Sequence, residues 1–222
     1  SSDGKYLFYG TDVGGLYRST DNGKTWDKSM KNYTASGAAD IIVDPNNSNR
    51  VIVFGVNGTP QYTTGIYLSE DGGETWQFKQ NFMISGYRDV SENMSYDASS
   101  YNEKLGYSTI AYVSLIYKKE FSNPTGLELT DTISDNYTDG KSTCTKAGLY
   151  KTVDGGNTWN MISNTLYDGI VKVNPLTGTV YIAKEDGLYI STNKGANFDK
   201  VNSEYILGLD IIKKENNAKI YY

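Results

Sequence analysis

The stretch "YRSTDNGKTW" (residues 17–26) returns as "YLSEDGGETW" (67–76), "YKTVDGGNTW" (150–159) and "YISTNKGANF" (189–198). The shared pattern is Tyr-x-[Ser/Thr]-x-[Asp/Asn]-x-Gly-x-[Thr/Asn]-[Trp/Phe]. Six of ten positions stay in register four times, so the chain is built from repeats. Each copy reads as a turn between two strands. A side-chain oxygen accepts hydrogen bonds from turn N–H groups, glycine supplies positive φ, and the closing ring buries apolar surface beside the next strand. Asp21, Asp71, Asp154 and Asn193 are therefore expected to be structural, with Trp26, Trp76, Trp159 and Phe198 as their anchors. The last copy carries Asn193 and Phe198 in place of Asp and Trp. A turn tolerates that exchange; a catalytic carboxylate does not.

A longer unit surrounds each copy, clearest over 37–80. Residues 38–43 predict a strand, 44–47 a turn, and 50–56, 65–69 and 75–80 three more strands. The same order recurs over 169–175, 179–184, 187–191 and 197–201. Four short antiparallel strands per unit is the anatomy of a propeller blade, so the expected fold is an all-β propeller of four-stranded blades. Positions 21, 71, 154 and 193 lie 50, 83 and 39 residues apart, so the third unit must hold an insertion. It is placed at 118–145, a Ser-, Thr-, Asn- and Asp-rich stretch expected to form a long loop. The expected organisation is one incomplete propeller over 1–222, with blades at 1–32 (partial), 33–84, 85–165, 166–203 and 204–222 (partial). Both ends carry a second strand (5–9 and 219–222), which predicts that further blades lie outside the sequence. A small closed propeller with an extra edge strand is the alternative.

Composition narrows the chemistry. The 222 residues include 20 Tyr, 23 Gly and 4 Pro, suited to short strands and tight turns. The net charge is −5, with Lys and Arg scattered, which argues against nucleic acid or an anionic membrane as partner. No apolar run approaches the roughly 18 residues that span a bilayer. One Cys and no His exclude an internal disulfide framework and nucleophiles that depend on histidine, and leave zinc without its usual ligands. Acid–base chemistry must rest on Asp, Glu, Tyr or Lys. No calcium-loop spacing occurs, so no metal and no cofactor is predicted. The Ser-Ser start without Met reads as that of a processed or excised piece.

The repeat resembles the Asp-box (bacterial neuraminidase) repeat of sialidases, sortilin-type domains and several glycoside hydrolases, where it is a hairpin turn in a propeller blade. More narrowly, Thr11-Asp12-Val13-Gly14-Gly15-Leu16-Tyr17-Arg18 followed by an Asp box resembles the first blade of family 74 glycoside hydrolases, the xyloglucan-cleaving endoglucanases. The likeness covers the first 30 residues well and the blade pattern generally, and it leaves the insertion unmatched. It implies two seven-bladed propellers with a cleft between them and inversion by two aspartates. Asp12 matches the position of the general base. The family's acid comes from the second propeller, and no second Asp-[Ile/Val]-Gly-Gly motif is present here. The implied setting is a secreted bacterial protein that degrades polysaccharide, partnered by a poly- or oligosaccharide, by the remaining blades and by a second propeller.

Alternate connections of a blade lie at opposite ends, so Asp12 and Asp21 are expected to face opposite ways. The end with Asp12 collects 32–36, 57–64, 86–92, the insertion, 166–168 and 185–186. The expected substrate-binding residues there are Tyr33, Tyr62, Tyr87, Arg88, Asp89, Tyr167 and Asp168, with Tyr205 nearby. Tyrosine faces would stack on sugar rings while carboxylates and amides bond hydroxyls. A sialidase would need an arginine triad, and Arg occurs only at 18, 50 and 88. The remaining rival is a carbohydrate- or protein-binding propeller without catalysis at a cell surface.

Overall fold

The computed structural model describes residues 1–56, 64–82, 94–115, 148–167 and 169–222. Strands β1 (Leu7–Gly10), β2 (Leu16–Ser19) and β3 (Asp27–Lys28) form a first antiparallel sheet. β4 (Gly37–Asp44), β5 (Asn47–Val56), β6 (Gly65–Ser69) and β7 (Gln77–Asn81) form a second, in that order. After β8 (Met94–Tyr96) comes a small hairpin, β9 (Tyr101–Asn102) with β10 (Tyr107–Ser108). β11 (Ala111–Leu115), β12 (Gly148–Thr152) and β13 (Asn160–Ser163) then complete a third sheet, ordered β8-β11-β12-β13. β14 (Ile170–Val173), β15 (Val180–Lys184), β16 (Gly187–Ser191) and β17 (Asp199–Lys200) form the fourth. β18 (Asp210–Lys214) pairs with β19 (Asn217–Tyr221).

Each sheet packs face to face on the next through its own apolar cluster. A middle sheet is thus covered on both sides, which is why Val51, Ile52, Val53 and Phe54 are apolar without alternation and all fully buried. The registers show what repeats. Leu7, Val51, Ala111 and Val180 lie opposite Ser19, Ser69, Thr152 and Ser191 respectively. Tyr9, Val53, Val113 and Ile182 lie opposite Tyr17, Tyr67, Tyr150 and Tyr189.

The box turns account for their consensus atom by atom. Ser19, Ser69, Thr152 and Ser191 donate their hydroxyls to the box Asp or Asn at 2.8, 2.8, 2.7 and 2.9 Å. The same hydroxyls accept the N–H of Gly23, Gly73, Gly156 and Gly195. The backbone N–H of Thr25, Thr75, Thr158 and Asn197 donates to the box side chain, each at 2.9 Å. The three threonines also donate their hydroxyls to the second carboxylate oxygen at 2.6, 2.5 and 2.6 Å. In the fourth box an amide nitrogen replaces that oxygen, and Asn197 replaces the threonine. The residue after the acid needs positive φ, met by Gly72 and Gly155 at +71° and by Asn22 and Lys194 at +59° and +57°.

These bonds depress the box acids. The Thr25 hydroxyl and N–H and the Ser19 hydroxyl hold the Asp21 carboxyl down at about 2. At Asp71, burial pushes the other way, but Thr75 and Ser69 together outweigh it. A carboxyl with a depressed folded value stabilises the fold above its unfolded value, about pH 3.9, and that contribution disappears as the pH falls toward 2. Asp71→Asn, which gives the second box the amide of the fourth, should lower the melting temperature at neutral pH and flatten its fall below about pH 4. Circular dichroism melts across that range check this, and equal slopes for the two proteins would remove this box as a source of acid sensitivity.

The boxes also join neighbouring sheets, a role absent from the sequence reading. The carbonyl after the box acid accepts from a cation of the preceding sheet: Arg18 Nη1 to Gly72 at 2.8 Å, Arg50 Nε to Gly155 at 2.9 Å, Lys151 Nζ to Lys194 at 2.7 Å. Arg18 and Lys151 hold the second position of their own boxes. There the second box has Leu68, and Arg50 of β5 reaches across instead, paired with Glu70 at 2.5 Å and stacked 3.9 Å from the Tyr107 ring. Arg50→Met keeps the apolar stem and loses these bonds, so it should cost about 2 kcal/mol. Urea unfolding measures it, and Arg50→Lys should recover part of the loss.

The aromatic anchors divide. Trp76 and Trp159 are 1% and 4% exposed, and Phe198 packs against the third sheet. Trp26, expected to be buried, is 43% exposed, and Leu7 and Tyr9 beside it are exposed too. The physical reason is positional. Val51, Val53, Tyr67 and Trp76 are covered by the sheet before them, and no sheet stands before β1–β3 among the described residues.

Two other expectations change. The fourth strand of a unit starts at Gln77 and at Asp199 rather than at 75 and 197, because the box turn consumes the preceding N–H groups. Part of the extra length of the third unit is the β9–β10 hairpin, which docks where the Ser108 N–H and hydroxyl donate to Asp44 at 2.7 and 2.6 Å. The 118–145 insertion lies in the β11–β12 connection, outside the described residues.

Candidate functional site

β1, β5, β11 and β15 end, and β2, β6, β12 and β16 begin, at the edge opposite the boxes. Asp12 precedes β2 and Asp21 follows it, so the two aspartates lie at opposite ends of that strand. The turn over 11–15 is closed by the Thr11 N–H and hydroxyl, which donate to the Gly15 carbonyl at 3.0 and 2.9 Å. Gly15 has φ of +96°, and the Met30 sulfur lies where a side chain would stand. The Ala38 N–H donates to the Thr11 carbonyl at 2.9 Å, and any side chain at Gly37 would collide with the Asp12 carbonyl. The backbone of the turn is clamped on β4 while the Asp12 residue is exposed.

Tyr33 does not present a ring for sugar stacking. It is 4% exposed, its ring centroid lies 4.4 Å from that of Tyr67 and 5.8 Å from that of Trp76, and its hydroxyl donates to the Gly37 carbonyl at 2.7 Å. Burial, with Tyr67 adding, pushes that hydroxyl far above its usual range, so it remains a donor. The indole N–H of Trp76 donates to the Ser29 carbonyl at 2.9 Å, anchoring the start of the connection that carries Tyr33. Tyr62, Tyr87, Arg88, Asp89 and Asp168 lie outside the described residues.

Farther along the same edge, Tyr167 is 39% exposed and lies under Lys184, 4.9 Å from the ring centroid. Tyr205, 61% exposed, donates its hydroxyl to Glu185 at 3.4 Å. Asp186 accepts from the Tyr189 hydroxyl at 2.6 Å and from Lys200 at 3.1 Å, which hold its carboxyl below the usual range. Sequence reasoning missed Asp40, whose oxygens accept the N–H of Ile41 and of Met94 and so tie β4 to β8. Its signal was a single carboxylate inside the apolar run 38–43.

Residues 17–28 match the BNR/Asp-box repeat family. Among curated proteins, the xyloglucanase Xgh74A of Acetivibrio thermocellus is 26% identical over 197 residues, covering 82% of this chain and 20% of that enzyme. The xyloglucanase of Hypocrea jecorina is 26% identical over 78% of this chain and 20% of its own length. The crystal structure of the family 74 enzyme of Niastella koreensis superposes with a TM-score of 0.60 at 19% identity, over 92% of this chain and 29% of that one. An ancestral family 74 enzyme gives 0.55 at 21% identity, over 93% and 23%.

The chain is an Asp-box β-propeller resembling the family 74 glycoside hydrolases. It spans about a fifth of the length of the curated relatives it matches. Of the expected site residues of this propeller, the described part brings Asp12 onto one clamped turn, with Tyr33 in the layer beneath it. Tyr167 stands in a separate tyrosine-lined group around the β15–β16 turn. No cluster of three or more His, Cys, Asp or Glu that could hold a metal occurs among the described residues, nor any helix long and apolar enough to cross a membrane.

Proposed function

We propose that this propeller belongs to a secreted inverting endo-β-1,4-glucanase acting on xyloglucan or a related β-glucan, with Asp12 as the general base. The observation that carries the reading is Asp12 itself: an exposed carboxylate on a backbone held from three sides, at the end of the sheet away from the box acids. The Thr11-Asp12-Val13-Gly14-Gly15 motif and the xyloglucanases among its relatives support the same reading. In inversion a base draws a proton from water on one face of the sugar while an acid about 6.5–9.5 Å away protonates the leaving oxygen. The acid is assigned to a second propeller, as in the enzymes this chain resembles. The remaining blades are partners of a definite kind. Leu7, Tyr9 and Trp26 are the exposed equivalents of three sets that are covered by a sheet, and a basic residue of the incoming blade would reach the Asn22 carbonyl.

Xyloglucan hydrolysis by the full-length protein, followed by proton NMR of the first-formed anomer, tests the reading. Initial release of the α-anomer is expected; the β-anomer would overturn inversion. Binding of xyloglucan without any product would favour a carbohydrate-binding propeller, in which the exposed Tyr167, beside Lys184, and Tyr205, beside Glu185, supply the stacking faces.

A further inference from the structure

We infer that Tyr33 is a positioning residue for Asp12, acting through two peptide groups in series; the inference rests on Asp12 being the general base. The Tyr33 hydroxyl donates to the Gly37 carbonyl at 2.7 Å. The N–H of that same peptide unit, on Ala38, donates to the Thr11 carbonyl at 2.9 Å, and this carbonyl belongs to the peptide that enters Asp12. One buried donor therefore sets the plane of the 37–38 peptide, and that plane sets the 11–12 peptide from which the Asp12 side chain departs. Peptide planarity makes the transmission stiff, and bonds in series polarise one another.

The Tyr33 ring is held from behind by Tyr67 and Trp76, so the hydroxyl cannot swing away. Gly37 completes the device. With no side chain there, the Asp12 backbone lies directly against the β4 backbone, so a shift of one is felt by the other. A base must sit within hydrogen-bond reach of its water, and misplacement by about 1 Å costs up to 10²-fold. Tyr33 touches neither sugar nor water in this scheme. It determines where the carboxylate points.

The test compares kcat and KM on xyloglucan in the full-length protein. Tyr33→Phe keeps the ring and removes the donor; it should lower kcat about tenfold and leave KM within about twofold. Tyr6→Phe makes the same change at a tyrosine outside the relay, removing a 3.1 Å bond to Asn49, and should leave kcat unchanged. In an Asp12→Ala background, Tyr33→Phe should have no further effect on the residual rate. Wild-type kcat in Tyr33→Phe beside an inactive Asp12→Ala overturns the positioning role alone, as does an equal loss in both backgrounds. A fully active Asp12→Ala overturns the base assignment and the relay with it.

Discussion

Asp12→Ala in the full-length protein should lower kcat on xyloglucan about 10²–10⁴-fold while KM stays within a few fold. General-base assistance contributes this range, and a group that acts on water in the transition state adds little to ground-state binding. The prediction separates Asp12 from the box acids, which lie at the other end of β2. Each box carboxylate accepts at least three hydrogen bonds within its own turn. At Asp12 the turn is closed by Thr11, Gly15 and Ala38 through backbone groups and the Thr11 hydroxyl, and these survive truncation of residue 12. Asp12→Ala should therefore lower the melting temperature less than Asp71→Ala does, and a larger fall with activity retained would reverse the assignment of roles. Initial rates and thermal melts on the same preparations decide it.

Trp76→Ala should be the most damaging single change in the scaffold, at about 3–5 kcal/mol. The indole is buried between the first two sheets with Leu16, Tyr33, Val51, Val53 and Tyr67, and its N–H donates to Ser29. Removing it leaves a cavity and an orphaned carbonyl in one step. The same substitution at Trp26, which carries the identical repeat position, should cost under about 1 kcal/mol in this chain because the ring is 43% exposed. Urea unfolding of both variants measures the contrast. Equal losses would mean that the open face of the first sheet is covered in solution. Trp76→Ala should also reduce the rate of the full-length protein, since the indole supports the Tyr33 ring that positions the Asp12 turn.

Much of the architecture is legible in the chain because its signals are local. A carboxylate two residues after a hydroxyl and four before a threonine closes a turn with its own neighbours, and the turn dictates strands on both sides. Asp21 and Asp12 can be told apart on the same basis: one recurs and the other does not. The two ends of β2 then place them apart. Arg18, Arg50 and Lys151 were not legible as a set. Arg18 and Lys151 share a box position, but Arg50 comes from another strand of its unit, and all three share only a carbonyl acceptor in the next sheet.

The tyrosines show the limit most clearly. Tyr33, Tyr67 and Tyr205 share one side chain. Tyr33 and Tyr67 are buried against each other, and Tyr205 is open. The sequence by itself determined the box turns, the strands between them and the repeat, because those depend on hydrogen bonds and alternation within about ten residues. Only the tertiary structure decided which aromatic faces are covered, which cations hold which carbonyls, and that the Tyr33 ring is buried against Tyr67 and Trp76. Those outcomes depend on which sheet lies against which, through contacts between residues tens of positions apart that no local pattern encodes.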